Sequence, residues 1–151
     1  MDKAQLIETI TAYFNEHIPF NRLVGIKVRE VSKEKVVLGL EMKPELVGNT
    51  FQNILHGGVT ATLLDVAGGL VATISIIERL TEIDPKEVQR KLRRLGTIDM
   101  RVDYLRPGRG AFFVASASVI RHGQSIAVTR MELINDREQT IALGTATYTV
   151  S

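Results

Sequence analysis

The sequence predicts an α+β protein, an antiparallel sheet wrapped around one long buried helix. Three observations carry this. From Val59 to Ile77 the chain is apolar almost throughout. Val59, Leu63, Val66, Leu70, Ile74 and Ile77 recur at the helical spacing of three and four, and Leu64, Ala67 and Val71 fill much of the remaining surface. The last third of the chain divides into consecutive strand-like segments joined by turns of hairpin length. Two further strand-like segments precede the helix. A helix apolar on nearly all sides must be enclosed, and consecutive hairpin-linked strands can enclose it.

In chain order, residues 3–17 form an amphipathic helix with Leu6, Ile10, Tyr13, Phe14 and His17 along one side, closed by Pro19. Val24 to Val31 and Lys35 to Met42 read as strands joined by Ser32-Lys33-Glu34. A loop bracketed by Pro44 and Gly48 leads through Asn49-Thr50-Phe51-Gln52-Asn53-Ile54-Leu55-His56-Gly57-Gly58 into the central helix. Between Glu78 and Leu95 the composition turns basic. Asp84-Pro85 marks a helix start, with acids early and Arg90, Lys91, Arg93 and Arg94 late, as the helix dipole favours; this is expected to be a short solvated insert. Thr97 to Leu105 alternates, with Ile98, Met100, Val102 and Tyr104 on one side and Thr97, Asp99, Arg101 and Asp103 on the other. After the turn Arg106–Gly110 come strands at Ala111 to Arg121, Ser125 to Ile134 and Thr140 to Val150. The whole chain reads as a single domain, 1–151, with the basic helical insert at about 78–95.

Composition narrows the function classes. A net charge of +2 in 151 residues indicates no nucleic-acid partner, and the absence of cysteine removes disulfides, a thiol nucleophile and thiolate metal sites. His17, His56 and His122 stand far apart in no metal-ligand spacing, so no metal is expected. The polar start Met1–Gln5 lacks a signal-peptide core, which fits a cytoplasmic protein. The Val59–Ile77 run approaches membrane-span length but contains Asp65, Gly68 and Gly69, so it is read as a core helix and no membrane span is expected.

Two features remain that bear chemistry. The start of the central helix offers unpaired backbone N–H groups and a partial positive charge, and Gly57 and Gly58 leave the backbone open to a ligand oxygen, as an oxyanion hole requires. Asp65 is the one charged residue between Val59 and Ile77; apolar surroundings raise a carboxyl pKa, as suits a general base or nucleophile. The same residues also fit a purely structural role, a tight turn and a buried hydrogen bond. Eight residues separate Gly57 from Asp65, about 12 Å along a helix at ~1.5 Å per residue. One helix cannot aim both at a single carbonyl carbon, so a catalytic reading needs two copies and a site at their interface.

The run His56-Gly57-Gly58-Val59, then Leu64-Asp65, Thr97-Ile98-Asp99 and Tyr104-Leu105-Arg106-Pro107-Gly108, resembles the hotdog-fold acyl-CoA thioesterases of the PaaI-like type. Within that type it is most similar to the YigI group, a likeness that includes Pro19-Phe20-Asn21-Arg22 and covers nearly the whole chain. The resemblance implies a five- or six-stranded antiparallel sheet around the central helix and assembly into homodimers or dimers of dimers. It also implies hydrolysis of medium- to long-chain acyl-CoA, with coenzyme A as part of the substrate and no other cofactor.

On matching positions, the resemblance implies that the Gly57 N–H polarises the thioester carbonyl, that Asp65 is base or nucleophile and that His56 helps shape the turn, and it sets Thr97 where relatives carry a Ser or Thr that orients the attacking water. Many relatives carry an Asn six residues before the His; this chain has Thr50 there, with Asn49 and Asn53 as candidates for its place beside Gly58. Arg121, Gly123 and Ser125 are candidates for contacts to the coenzyme A phosphates or pantetheine, though a hairpin explains them equally well. Two alternatives stay open. A dehydratase is disfavoured because its proline-containing motif is missing. A non-catalytic acyl-CoA-binding protein would have no use for Asp65.

Overall fold

The computed structural model describes all 151 residues, Met1–Ser151. The first helix, α1 (Lys3–Glu16), opens on a reciprocal cap: Asp2 Oδ1 accepts from the Gln5 N–H at 2.8 Å, and Gln5 Oε1 accepts from the Asp2 N–H at 2.9 Å. Leu6 is buried with Ile7 and Ile10 partly buried beside it, and Phe14 packs partly buried against the main core. Tyr13, 51% exposed, and His17 lie off this face, so the apolar stripe is rotated from the expected one. Pro19 ends α1 as expected and also starts a second helix, α2 (Pro19–Val24), because its fixed φ suits the first helical position. Gly25 closes α2 at φ +95°, where a side chain would be strained. Val24 is therefore helical, and β1 (Lys27–Val31) begins later than expected. The buried Asn21 amide donates to the Phe14 carbonyl at 3.1 Å and ties the two helices together.

With β2 (Val36–Glu41) the first hairpin is complete. A 3-10 turn, Pro44–Leu46, then leads to a short ribbon, β3 (Val47–Asn49) with β4 (Ile54–Leu55), in what was expected to be a plain loop. The central helix α3 (Gly57–Glu78) follows, then α4 (Pro85–Arg94) and the strands β5 (Gly96–Tyr104), β6 (Phe112–His122), β7 (Ile126–Asn135) and β8 (Thr140–Thr149). Six strands form one antiparallel sheet in the order β1-β2-β6-β7-β8-β5. Its inner face closes on α3: Leu63, Leu64, Leu70 and Ile74 are fully buried among Leu38, Phe113, Met131 and Leu133. By length and composition α3 could cross a membrane, but two-thirds of its apolar window (67%) is buried inside this sheet.

The helix is not enclosed on every side. Gly58 is exposed and Thr62, Asp65 and Gly69 are half-buried, at spacings of four, three and four, so one stripe of α3 stays open. Asp65 sits on that stripe. The expectation of an acid sunk in apolar core is thereby corrected: period counting sees that a residue lies among apolar neighbours, not which side the sheet leaves uncovered.

Two irregularities in the sheet decide which side chains face α3. In the β5–β8 ladder the register steps from Thr97↔Tyr148 to Asp99↔Thr147, leaving Ile98 as an extra residue, 55% exposed. Met100, Val102 and Tyr104 lie opposite the buried Ala146, Gly144 and Ala142, and Thr97 joins them on the inner face. The expected alternation, with Thr97 outward and Ile98 inward, is corrected at this bulge. A second step, between Val119 and Arg121, leaves Ile120 58% exposed and turns His122 inward, where its Nδ1 meets the Ser75 hydroxyl of α3 at 2.5 Å.

The insert follows Glu78, the last residue of α3, and its helix starts at Pro85, where it was expected. Asp84 caps α4 by accepting from the Lys86 N–H at 3.0 Å. The insert is not wholly solvated: Val88 is buried with Leu6, Ile77 and Leu80, which leaves Arg90, Arg93 and Arg94 exposed and Lys91 half-buried.

Candidate active site

His56 is the N-cap of α3. Its Nδ1 accepts from the Gly58 N–H at 2.8 Å, so the Gly58 donor is used within the turn. The Gly57 N–H stands at the first helical position, has no intrahelical partner and makes no other hydrogen bond. Of the two glycines, only Gly57 offers a free donor. Tyr104, from the end of β5, donates its hydroxyl to the Gly57 carbonyl at 2.7 Å and holds the turn against the sheet. Beside it Ile54, Leu55, Tyr104, Leu105 and Ile141 line a cleft of about 400 Å³ that reaches Gly57 and Thr60.

Two turns further along α3, Asp65 is gripped from the sheet. Thr97 Oγ1 donates to Asp65 Oδ1 at 2.9 Å, and the Tyr148 hydroxyl lies 3.0 Å from the same oxygen and 2.9 Å from the Asp65 carbonyl. Oδ2 has no partner in the chain, so one carboxylate oxygen is fixed and the other is free. Burial first, then the Asp65 charge and the hydrogen bond to Asp65, push the Tyr148 phenol above its ordinary pKa, which keeps it a neutral donor.

The structure thus joins Asp65 to Thr97 and, separately, His56 to Gly57 and Gly58. It does not bring the other candidates to these groups within one chain. Asn49 Oδ1 accepts from the Phe51 and Gln52 N–H groups at 3.0 and 3.3 Å and makes the loop turn, and Asn53 carries a φ of +53° in that loop. Arg121, Gly123 and Ser125 lie at the far end of α3. There Arg79, Lys91 and His122 face a polar cleft of about 260 Å³ that Gly123 also lines. Burial, then Arg79 and Lys91, lower the His122 pKa, as expected of an imidazole among cations. Nowhere do three His, Asp or Glu side chains converge as a metal site would need.

Sequence reasoning missed Tyr148, and it placed Tyr104 in a strand and in the family motif without assigning it a contact to Gly57. A signal for Tyr148 was present in Gly68, one turn after Asp65: a Cβ there would run into the Tyr148 ring and hydroxyl and come within 3.0 Å of Thr129 Oγ1. A glycine in the middle of a buried helix weakens it, and here the missing side chain makes room for a phenol.

Residues 52–142 match the family model described as the thioesterase superfamily. The chain belongs to the thioesterase superfamily. Among its thioesterase relatives is the medium/long-chain acyl-CoA thioesterase YigI of Escherichia coli K12, 47% identical over 146 residues, which make up 97% of this chain and 94% of that one. A crystal structure of a Shewanella oneidensis protein related to the thioesterase superfamily superimposes with a TM-score of 0.95 at 47% identity, covering 99% of this chain and 97% of that one. The Escherichia coli PaaI protein, from the phenylacetic acid degradation operon, shares the fold at a TM-score of 0.76 and 19% identity, over 99% of this chain and 94% of that one. The superfamily match takes in His56, Gly57, Asp65 and Thr97 and ends before Tyr148.

Proposed function

We propose that the protein hydrolyses medium- to long-chain acyl-CoA to free fatty acid and coenzyme A, in a site shared by two copies of the chain. The observation that carries this reading is the half-occupied carboxylate of Asp65, with Oδ1 held by Thr97 and Tyr148 and Oδ2 free. Such a group can take a proton from a water in a fixed direction. The water oxygen then attacks the thioester carbonyl carbon while its proton passes to Asp65. Negative charge gathers on the carbonyl oxygen, where the unpartnered Gly57 N–H and the positive end of α3 stabilise it. Collapse breaks the C–S bond, and the departing thiolate recovers the proton from Asp65. The reaction balances without metal, redox cofactor or co-substrate other than water.

The helix spacing of about 12 Å between Gly57 and Asp65 supports drawing one from each protomer. So does β5, an edge strand of nine residues with no partner on its outer side, the kind of edge a second chain covers. Chain-length preference rests on the YigI likeness and on Phe51, fully exposed at the tip of the loop before the site, where it can meet an apolar acyl chain. The polar cleft of Arg79, Lys91 and His122, extended by the exposed Arg90, Arg93 and Arg94, supports contacts to the coenzyme A phosphates. The test is thiol release from acetyl- through palmitoyl-CoA. Octanoyl- to palmitoyl-CoA should exceed acetyl-CoA in kcat/KM by at least about tenfold, given the apolar surface each methylene adds. Binding of acyl-CoA with no turnover of any chain length would replace hydrolysis by the non-catalytic reading.

A further inference from the structure

Tyr148 lies 83 residues from Asp65 in sequence, is 2% exposed, and directs its one polar atom at the acid. As a space-filling core residue, a phenylalanine would serve as well and would need no acceptor. Instead α3 carries Gly68 where any Cβ would displace the phenol, and the β5–β8 register sets Thr97 directly opposite Tyr148, so both hydroxyls arrive at one carboxylate oxygen. A carboxylate held by a single donor can still swing about that contact. Two donors from adjacent strands, with the phenol also near the Asp65 carbonyl, restrain it and leave Oδ2 without a partner.

We infer that Tyr148 is a positioning residue for the reaction, orienting the Asp65 carboxylate so that Oδ2 alone is presented to water, with Gly68 as the vacancy that admits it. This deepens the proposed hydrolysis and rests on Asp65 being its base. Because burial raises the phenol's pKa, Tyr148 stays a hydrogen-bond donor through the working pH range and does not exchange protons with the substrate. Its effect is on the geometry and the charge stabilisation of Asp65.

The experiment compares the full-length protein with Tyr148→Phe and Asp65→Asn under steady-state turnover of the best acyl-CoA. Asp65→Asn tests the underlying reading: full activity there sinks the assignment of the base, whatever Tyr148 does. With Asp65→Asn inactive, Tyr148→Phe should lower kcat roughly 10- to 100-fold, the range for one lost hydrogen bond to a charged group, with KM within about twofold. The acid limb of its kcat/KM profile should move to higher pH, because the ionised carboxylate has lost a donor. A merely structural role would shift the melting temperature without moving that limb. Should Tyr148→Phe fail to fold, 3-fluorotyrosine placed at position 148 keeps the ring and hydroxyl while making it a stronger donor, and should move the acid limb to lower pH. Wild-type kcat with an unmoved acid limb, in whichever of the two folds, overturns the inference.

Discussion

Thr97 and Tyr148 face one another across the β5–β8 ladder, and both reach the same oxygen of Asp65. That pairing links three parts of the chain that no local pattern connects: a helix, an edge strand and the last strand. The site depends on the register of a sheet as much as on any motif.

Asp65→Asn is expected to remove most activity, roughly 10²–10⁴-fold in kcat, while leaving the fold in place. The amide oxygen can still accept from Thr97 and Tyr148, but the amide cannot take a proton from water. Steady-state turnover with circular dichroism on the same sample checks this, and near-normal kcat in a folded variant would rule Asp65 out as the base.

Gly57→Pro should also be inactive and folded. Proline suits a first helical position, and His56, at φ −59° and ψ 132°, already has the extended backbone that a residue before proline prefers. The substitution removes the one free N–H. When the Asp65→Asn and Gly57→Pro variants are refolded together, a mixed dimer has one site lacking both groups and one site with both intact. Activity should therefore return in verified heterodimers, and heterodimers that stay inactive would contradict the shared site.

Replacing Arg90, Lys91, Arg93 and Arg94 by Gln should raise KM for acyl-CoA at low ionic strength and leave kcat nearly alone, since the Asp65 carboxylate is held by Thr97 and Tyr148 and by none of these side chains. The effect should shrink as salt screens charges beyond ~10 Å at 0.1 M. An unchanged KM at low salt would leave α4 with only its packing role through Val88.

Tyr148 also predicts how stability depends on pH. Its phenol is raised above the ordinary value of 10.0 when folded, so above that pH the unfolded chain loses this proton while the folded chain keeps it. The stabilisation it provides is whole below pH 10 and declines as pH rises toward the folded value. Urea midpoints at pH 9 and 11 should fall more in the wild type than in Tyr148→Phe. Equal falls would mean that the phenol ionises as easily folded as unfolded.

What the sequence by itself determined was the main run of helices and strands, α2 and the β3–β4 ribbon excepted, and the glycine turn at the start of α3. The apolar period from Val59 to Ile77, the hairpin-length turns and His56-Gly57-Gly58 are local patterns, and helices, strands and caps form from neighbours in the chain. The α+β architecture followed because so apolar a helix has to be enclosed. Only the tertiary structure decided which way the site residues face. Strict alternation placed Thr97 outward; one unpaired residue, Ile98, reversed it, because a bulge shifts every side chain before it to the other face and leaves little local trace. Asp65 was read as buried because its chain neighbours are apolar, whereas its exposure depends on where the sheet stops short around α3. Tyr148 escaped notice because its partner is 83 residues away, and a contact of that range is set by strand register and by the space above Gly68, neither of which either segment carries alone.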